Sequence, residues 1–351
     1  MKILVSGGAG FIGSHLTDAL VRQGHDVTVV DNLSTGRLEN LQWALASGRV
    51  RFLRGDVRNR RLLREVLPGV ERVFHLAASV GVRNIIRRPL KSLMNNIQGA
   101  ASILQSCSEL GGIKVVLFSS SEIYGKGRAG KLSEDSDSVL GATEVARWSY
   151  AASKVIDEFM ALGYGADRGL PVVVVRCFNT CGPRQVGRFG MVLPRFIHRA
   201  LRGEPLSVYG DGQQSRCFSY VGDVVRGVLL LADTPEAEGD VFNIGNDQET
   251  TILDLAERVI RLSASPSKIR MIPYTEVYGE GFEDVRRRVP SLERIHRVTG
   301  FRPMVDLETL LVLTIRDLAH RRGFPVPSPV LEYPLPELLR TAAGSLPSVP
   351  A

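Results

Sequence analysis

The stretch that decides the fold lies at the start of the chain and reads Lys2-Ile3-Leu4-Val5-Ser6-Gly7-Gly8-Ala9-Gly10-Phe11-Ile12-Gly13. It combines a short apolar strand, three spaced glycines and the first residues of an amphipathic helix. Glycines at these positions let the backbone turn tightly and approach a pyrophosphate, which then lies on the N-terminus of the helix. The stretch predicts a dinucleotide-binding turn with contacts from Gly7, Gly10, Phe11, Ile12 and Gly13.

A second strand supports the same interpretation. The strand at 27–30 is followed by Asp31, where this type of turn is accompanied by an acidic residue. A carboxylate there binds the ribose hydroxyls and repels a 2′-phosphate, so NAD is favoured over NADP, with Asn32 beside it as a further cofactor contact. Arg37 lies close enough in the sequence to leave that preference open.

Up to about residue 180 the sequence alternates between strands and helices. Strands are predicted near 2–6, 26–30, 50–54, 71–75, 113–118 and 171–176. The alternation is typical of an α/β fold of the Rossmann type, a doubly wound parallel sheet that binds ligands at the carboxyl ends of its strands. The other predicted cofactor contacts lie at two such ends and are Asp56, Val57, Leu76, Ala77 and Ala78. For Asp56 an ordinary loop position is an equal alternative.

After residue 180 the pattern changes to shorter elements. Helices near 190–203, 220–233, 251–262 and 306–320 and short strands near 206–209 and 240–244 predict a smaller α/β lobe. The segment 323–351 holds seven of the 18 prolines and little periodic apolar pattern. We expect a nucleotide-binding domain over 1–180, a C-terminal substrate-binding lobe over 181–322, and an extended or disordered tail over 323–351.

The composition argues against several classes of protein. The 351 residues are 44% hydrophobic and 23% charged, as in ordinary globular proteins, and no apolar run reaches membrane-spanning length. The four cysteines lack the paired spacing of a metal site, so we expect no metal, and free thiols in the cytoplasm. The net charge of +7 comes from scattered arginines without a nucleic-acid-binding motif, so neither a nucleic acid nor a membrane is expected as a partner.

Tyr150 and Lys154 lie four residues apart on a stretch predicted to be helical, so they share one face. An ammonium beside a phenol stabilises the phenolate, which lowers the tyrosine pKa from about 10 and lets the side chain take a proton from an alcohol. Such pairs also arise by chance and then only pack together. Here the pair is evidence of general-base chemistry, because the same chain also contains a dinucleotide-binding turn.

Five motifs in order resemble those of the extended short-chain dehydrogenase/reductases that act on nucleotide sugars. They are the glycine turn, the Tyr150/Lys154 pair, and the segments 119–125, 176–184 and 209–212, and the match covers roughly residues 1–320. The resemblance implies tightly bound NAD, a UDP-sugar as substrate, and a homodimer formed by the helices at about 88–110 and 146–168. It also implies that Ser120 hydrogen-bonds the reacting C4 hydroxyl of the sugar.

Three positions favour a resemblance to the UDP-glucuronate decarboxylases. The similar 4,6-dehydratases have an aspartate where this chain has Ser121, and serine is a poor acid. Glu122 follows, where the decarboxylases have a glutamate and the UDP-galactose 4-epimerases usually have a neutral residue. Arg288, in the run 278–291, aligns with an arginine implicated in decarboxylation, although the basic run 286–288 also fits a solvated surface.

The resemblance thus implies one set of residues for catalysis and another for substrate binding. The catalytic set is Ser120, Glu122, Tyr150, Lys154 and Arg288. The substrate contacts are Ser121, Asn179, Arg184, Tyr209, Arg216 and Arg288, with the diphosphate near Arg216.

Three functions remain open at this point. The first is decarboxylation of UDP-glucuronate through a 4-keto intermediate to UDP-xylose or UDP-4-keto-pentose. The loop 187–191 differs from that of single-domain UDP-xylose synthases and leaves the product undecided. The second is 4-epimerisation of UDP-glucose or UDP-glucuronate, which needs neither Glu122 nor Arg288 for loss of carbon dioxide. The third is a non-catalytic NAD-binding protein, against which Ser120, Tyr150 and Lys154 argue.

Overall fold

Seven parallel strands form the central sheet of the molecule. The computed structural model describes residues 1–126, 130–187, 190–278, 285–337 and 339, with the backbone alone for 82–84. Its strands are β1 (Lys2–Ser6), β2 (Asp26–Asp31), β3 (Val50–Arg54), β4 (Arg72–His75), β5 (Lys114–Ser120), β6 (Val172–Cys177), β7 (Thr180–Cys181), β8 (Leu206–Tyr209), β9 (Ser215–Cys217), β10 (Ser219–Tyr220), β11 (Val241–Ile244), β12 (Glu249–Thr251), β13 (Ile269–Ile272) and β14 (Arg287–Arg288).

Helices cover the sheet and build the rest of the molecule. They are α1 (Phe11–Arg22), α2 (Gln42–Ala46), α3 (Arg60–Val66), α4 (Val82–Arg87), α5 (Pro89–Leu110), α6 (Trp148–Arg168), α7 (Val192–Leu201), α8 (Val221–Asp233), α9 (Ile252–Leu262), α10 (Tyr274–Tyr278), α11 (Glu293–Thr299), α12 (Leu307–Arg322) and α13 (Ser328–Leu331). Within the described residues, short 3₁₀ turns lie between them at Leu38–Leu41, Ser121–Tyr124 and Pro235–Ala237. None of the helices within the described ranges is both long and apolar enough to cross a membrane.

The central sheet has the strand order β11-β6-β5-β4-β1-β2-β3, and every neighbouring pair is parallel. β1 lies inside the sheet, where Val5 pairs with Val29 of β2 on one side and Phe74 of β4 on the other. The chain order therefore changes direction at β1, and the carboxyl ends of β1 and β4 border the crevice where such folds bind ligands. The predicted Rossmann-type, doubly wound α/β fold is confirmed.

Both faces of the sheet are covered because its strands are apolar on both sides. In β6, Val172 and Val174 pack with α3, α5 and α6, whereas Val173 and Val175 pack with α1 and α8. Successive strand residues point to opposite faces, so a run of fully buried valines requires a helical layer on each side.

Two elements after residue 180 belong to the central sheet and its cover. The sequence predicts the helix near 220–233 and the strand near 240–244 in the smaller lobe; the structure instead pairs β11 with β6, with Phe242 opposite Val175. Val224 and Val228 of α8 pack into the core shared with α1. β11 is apolar throughout, and one more strand beside β6 buries it on both faces.

The smaller lobe has its own apolar core. Leu193 and Phe196 of α7, Leu255 and Val259 of α9 and Leu310 of α12 are buried in it. Three small sheets with the orders β10-β7, β12-β9-β14 and β13-β8 lie among these helices. The paired strands bring the segment around Arg287–Arg288 back toward the central sheet.

The start of the proline-rich segment packs against the smaller lobe, so the prediction of an extended or disordered tail is wrong for residues 323–337 and 339. A short helix forms at Ser328–Leu331, and Val330, Leu335 and Leu339 are buried in the core of the lobe. Prolines at the start of the helix are compatible with this geometry because they fix φ and need no hydrogen bond there. The remaining tail residues, 338 and 340–351, lie outside the described residues.

This packing predicts that the segment contributes to stability. We expect Leu335→Ala to lower the free energy of unfolding by about 2–3 kcal/mol, because it leaves a cavity in an apolar core. Leu331, four residues earlier and 61% exposed, is the matched control. Leu331→Ala changes the same quantity by no more than about 0.5 kcal/mol. Denaturant unfolding measures both variants, and equal losses would contradict the packing of the segment.

Candidate active site

A cavity of about 380 Å³ opens at the carboxyl ends of the central strands and extends to the smaller lobe. Its wall contains every predicted site residue except Arg184, Tyr209 and Arg216. The predicted residues that line it are Gly7, Gly10, Phe11, Ile12, Gly13, Asp31, Asn32, Asp56, Val57, Leu76, Ala77, Ala78, Ser120, Ser121, Glu122, Tyr150, Lys154, Asn179 and Arg288. The fold brings these residues together, and their individual roles remain predictions.

The glycine turn forms one end of the cavity and has no room for side chains. Gly7 has a φ of +75°, and a Cβ atom on it would lie 2.8 Å from the backbone nitrogen of Ala77. A Cβ atom on Gly13 would lie 2.3 Å from the carbonyl oxygen of Gly7. α1 begins after Gly10, and no side chain caps its first turn. The N-terminus of α1 is therefore available to a phosphate group, as a dinucleotide site requires.

Asp31 and Asp56 lie at the ends of β2 and β3 and border the same region. The carboxylate of Asp31 accepts hydrogen bonds from the backbone N–H groups of Ala9, at 3.0 Å, and Leu33, at 2.7 Å. Burial raises the pKa of Asp31, and these two hydrogen bonds lower it, with a net rise. Asp56 is held by the guanidinium of Arg58 through contacts of 2.9 and 2.8 Å, and Arg58 itself lines the cavity.

Arg58 is a wall residue that the sequence reasoning misses. The signal is its position two residues after Asp56, at the carboxyl end of β3. Close-fitting glycines, an open helix N-terminus and a carboxylate at the end of β2 together fit a dinucleotide with free ribose hydroxyls. The guanidinium of Arg58 donates two hydrogen bonds to Asp56, so this arginine is already paired with a carboxylate.

Tyr150 and Lys154 lie on one face of α6, as predicted. Tyr150 is hydrogen-bonded to the Ser120 side chain at the end of β5. The Lys154 Nζ donates to the backbone carbonyl of Phe118 and to Oδ2 of Asp157, each at 3.0 Å. Asp157 is a contact that the sequence reasoning misses, although its i+3 spacing from Lys154 is visible in the sequence.

The electrostatics of Tyr150 differ from the expectation of a lowered pKa. Burial raises the pKa of Tyr150, whereas the Lys154 ammonium and the hydrogen bond from Ser120 lower it, and the net change is upward. The pKa of Lys154 is also raised, because Asp157 and Tyr150 outweigh the effect of burial. In the protein alone the pair is therefore a neutral phenol beside an ammonium ion.

Glu122 meets two arginines from distant parts of the chain. The Arg288 Nη1 lies 2.5 Å from Glu122 Oε1, and the Arg147 Nη2 lies 3.8 Å from Glu122 Oε2. Arg288 is 2% exposed, which excludes the alternative of a solvated basic run for this residue. Burial raises the pKa of Glu122, but Arg288 and then Arg147 outweigh it and lower the pKa to about 2. Among the described residues, this part of the cavity wall brings the guanidinium groups of Arg288 and Arg147 to the Glu122 carboxylate.

Arg288 also has donors that face no acceptor among the described residues. Its Nε and Nη2 atoms are buried without a hydrogen-bond partner there. Arg147, directly before α6, is another wall residue that the sequence reasoning does not assign to the site. Of the run 278–291, residues 279–284 lie outside the described residues, as do 188 and 189 of the loop 187–191.

Three predicted substrate contacts do not line the cavity. The Arg184 Nη2 donates to Asp18 of α1 at 2.7 Å. The Tyr209 hydroxyl accepts from the Arg195 Nη1 at 2.5 Å. The Arg216 Nη1 donates at 2.7 Å to the carbonyl of the residue before it. Residues close in a motif need not point the same way, because a turn between them redirects each side chain.

Comparison with known proteins agrees with this geometry. The model of the NAD dependent epimerase/dehydratase family matches residues 3–245. The chain belongs to this family. As a member of it, the protein is an NAD-dependent enzyme, and its glycine turn and Asp31 fit that cofactor.

Several proteins similar to this chain are named for UDP-sugars. UDP-N-acetyl-alpha-D-glucosaminuronate decarboxylase of Bacillus cytotoxicus is 40% identical over 90% of this chain and 97% of its own. UDP-glucuronic acid decarboxylase 1 of Danio rerio is 36% identical over 91% of this chain and 74% of its own. The crystal structure of the UDP-glucuronic acid 4-epimerase of Bacillus cereus with UDP-glucuronic acid and NAD superposes with a TM-score of 0.82. It shows 29% identity, over 92% of this chain and all of that one.

The Glu122–Arg288 pair predicts a pH-dependent stability in this family member. The pKa of Glu122 is about 2 in the folded protein against an ordinary value of 4.5. The ion pair therefore stabilises the fold above about pH 4.5, and this contribution is lost as the pH falls from 4.5 to 2. We expect Arg288→Met to lower the free energy of unfolding by about 3 kcal/mol at neutral pH, with a smaller loss in acid.

Arg287→Met is the matched control for this titration. Arg287 is the neighbouring residue of β14, and its ion pair with Glu249 lies at the surface. An exposed pair contributes about 0–1 kcal/mol, so this variant stays close to the wild type at every pH. Denaturant unfolding between about pH 6 and pH 3 measures all three proteins. An Arg288→Met loss that does not shrink as the pH falls contradicts the assignment.

Proposed function

We propose that this enzyme decarboxylates a UDP-linked uronic acid, UDP-glucuronate or its 2-acetamido counterpart. The observation that carries the proposal is the cluster of Glu122, Arg288 and Arg147 in the wall that also holds Ser120 and Tyr150. Arg288 is buried, and its Nε and Nη2 atoms have no hydrogen-bond acceptor within the described residues. A sugar carboxylate supplies both the charge and the acceptors. The names of the two decarboxylase relatives support the same reaction.

The first step is oxidation of the C4 hydroxyl. Ser120 holds this hydroxyl, and Tyr150 removes its proton as general base. Because burial raises the pKa of Tyr150, the phenolate depends on the Lys154 ammonium, which Asp157 and the Phe118 carbonyl hold in place. Bound NAD supplies the acceptor for the hydride that leaves C4.

The second step is loss of carbon dioxide from the 4-keto sugar. Its carboxylate is β to the ketone, so the bond between C5 and C6 breaks and its electron pair forms an enolate. Ser120 and the protonated Tyr150 donate hydrogen bonds to the enolate oxygen. Arg288 and Arg147 orient the departing carboxylate, Glu122, ionised at neutral pH, holds Arg288 in place, and C5 of the enolate takes up a proton from water. If the hydride removed from C4 in the first step is returned to the ketone before release, the product is the UDP-pentose, UDP-xylose in the case of UDP-glucuronate; release of the ketone gives UDP-4-keto-pentose.

Carbon-13 labelling at C6 tests this proposal. Purified protein with NAD and C6-labelled UDP-glucuronate should release labelled carbon dioxide, and the spectrum of the residual sugar distinguishes xylose from the 4-ketone. Tyr150→Phe removes the base, and we expect a fall of at least about a hundredfold in carbon dioxide release. Normal turnover by this variant contradicts the role of Tyr150.

A 4-epimerase is the second candidate, and the solved UDP-glucuronic acid 4-epimerase of similar fold favours it. An epimerase would reduce the ketone from its other face and keep the C6 carbon. In the labelling experiment the label would then remain in UDP-galacturonate. An unchanged spectrum with this and other nucleotide sugars, without reduction of NAD, would favour the non-catalytic alternative.

We also propose a homodimer formed by α5 and α6. These helices pack side by side and expose large apolar side chains: Leu90 is 70% and Phe159 72% exposed, with Met94 and Ile156 at 40% each. Exposed apolar side chains on adjacent helices are a feature of oligomer interfaces.

Phe159→Glu tests this interface. We expect the variant to sediment as a monomer where the wild type sediments as a dimer, because a charge at a buried interface is costly. Leu331→Glu, at a leucine of the smaller lobe that is 61% exposed, should leave the dimer intact. A monomeric wild type, or a dimeric Phe159→Glu protein, contradicts the proposed interface.

A cytoplasmic location completes the proposal. Cys107, Cys177, Cys181 and Cys217 are all unpaired, as expected for a protein of a reducing compartment.

A further inference from the structure

A buried hydrogen-bond network lies behind the wall of the cavity, between the two residues assigned to decarboxylation. Glu122 belongs to the 3₁₀ turn Ser121–Tyr124, and Arg288 belongs to β14, more than 160 residues later. The last residue of the turn, Tyr124, and Asn243 of β11 are 1% and 0% exposed. Neither residue lines the cavity.

The hydrogen bonds fix the orientation of the Asn243 side chain. The Tyr124 hydroxyl donates to Asn243 Oδ1 at 2.6 Å and accepts from the Arg176 Nη1 at 2.9 Å. Burial raises the pKa of Tyr124 to about 12, so the hydroxyl keeps its proton and remains a donor. The amide oxygen of Asn243 therefore faces the turn that carries Glu122, and its NH₂ group points the other way.

That NH₂ group binds the segment that carries Arg288. Asn243 Nδ2 donates to the carbonyl oxygen of Leu132 at 2.9 Å and to that of Ser291 at 3.3 Å. Leu132 is joined to the same segment by its backbone, because its N–H donates to Val289 and its carbonyl accepts from Ser291, both at 2.8 Å. One side chain thus connects the Glu122 turn with the backbone on the C-terminal side of Arg288.

We infer that Asn243 is a positioning residue for decarboxylation, which holds the Arg288 segment at the distance that lets Arg288 reach Glu122. The inference rests on the proposed function. The groups that oxidise C4 are held separately: Ser120 pairs with Cys177 in the central sheet, and Lys154 is bound to Phe118 and Asp157. Loss of the Asn243 contacts therefore affects the second step much more than the first.

Asn243→Asp is the sharpest variant because it keeps the shape and the acceptor for Tyr124. It replaces the NH₂ group by an oxygen that faces two carbonyl oxygens, so an attraction becomes a repulsion. We expect the release of labelled carbon dioxide from UDP-glucuronate to fall about a hundredfold, the effect of a displacement of about 1 Å at a reacting group. Reduction of NAD in a single turnover, which reports oxidation at C4, should stay within about twofold of the wild type.

Asn246→Asp is the matched control. Asn246 lies three residues further along, is 4% exposed and has no contact with the Arg288 segment among its hydrogen bonds to Ser219, Gln248 and Val305. It carries the same chemical change at a similarly buried site, so we expect the rates of carbon dioxide release and NAD reduction to fall together or to remain unchanged.

Tyr124→Phe is the second variant, and it weakens the network by removal of a single hydroxyl. It should lose carbon dioxide release in preference to NAD reduction even if Asn243→Asp does not fold.

The two rates separate the possible results. A selective loss of carbon dioxide release in Asn243→Asp or Tyr124→Phe, without such selectivity in Asn246→Asp, supports the positioning role. Equal loss of both rates in the two network variants, or no loss in either, overturns it. If the wild type reduces NAD and releases no carbon dioxide, the proposed function itself fails, and the inference is overturned with it.

Discussion

The shape of the cavity depends on the ion pair between Glu122 and Arg288. Glu122 lies in the turn after β5 and Arg288 in β14. Their contact of 2.5 Å therefore joins the smaller lobe to the carboxyl ends of the central strands. Transfer of either charge from water to this site alone would be costly, and a partner at hydrogen-bond distance offsets that cost. Arg147 adds a second positive charge to the same carboxylate. The fold therefore holds a buried guanidinium group, that of Arg288, in the wall of the cavity.

The pKa values of two acid groups in this cavity are shifted in opposite directions. Burial dominates at Tyr150 and raises its pKa, whereas the two guanidinium groups dominate at Glu122 and lower its pKa to about 2. At neutral pH the first is a neutral phenol and the second is an anion. Opposite shifts in neighbouring groups are typical of sites that divide acid and base roles between residues. The arrangement suits a reaction with a proton transfer at one carbon and a carboxylate at another.

For α8 and β11 the sequence pattern predicts the element correctly but not its place in the fold. Their lengths and positions follow from apolar periodicity, and the structure agrees with both. The lobe to which they belong does not follow from the periodicity, because a four-residue apolar strand can pair with strands of either lobe. The proline-rich segment shows the same limit. Its few apolar residues, such as Val330 and Leu335, carry no visible period, yet the groove between α12 and its neighbours buries them.

The sequence by itself determined the nucleotide-binding turn, the parallel sheet and the Tyr150/Lys154 pair, because each depends on residues close together in the chain, where spacing decides geometry. Its prediction that Glu122 and Arg288 share a site came from a family resemblance, and no local spacing relates them. Only the tertiary structure decided that the two are in contact, that Arg147 joins them, and that Arg184, Tyr209 and Arg216 do not line the cavity. The physical reason is that side-chain direction and burial are set by strand pairing between distant segments: β14 pairs with β9, and Asn243 of β11 binds the backbone beside Arg288.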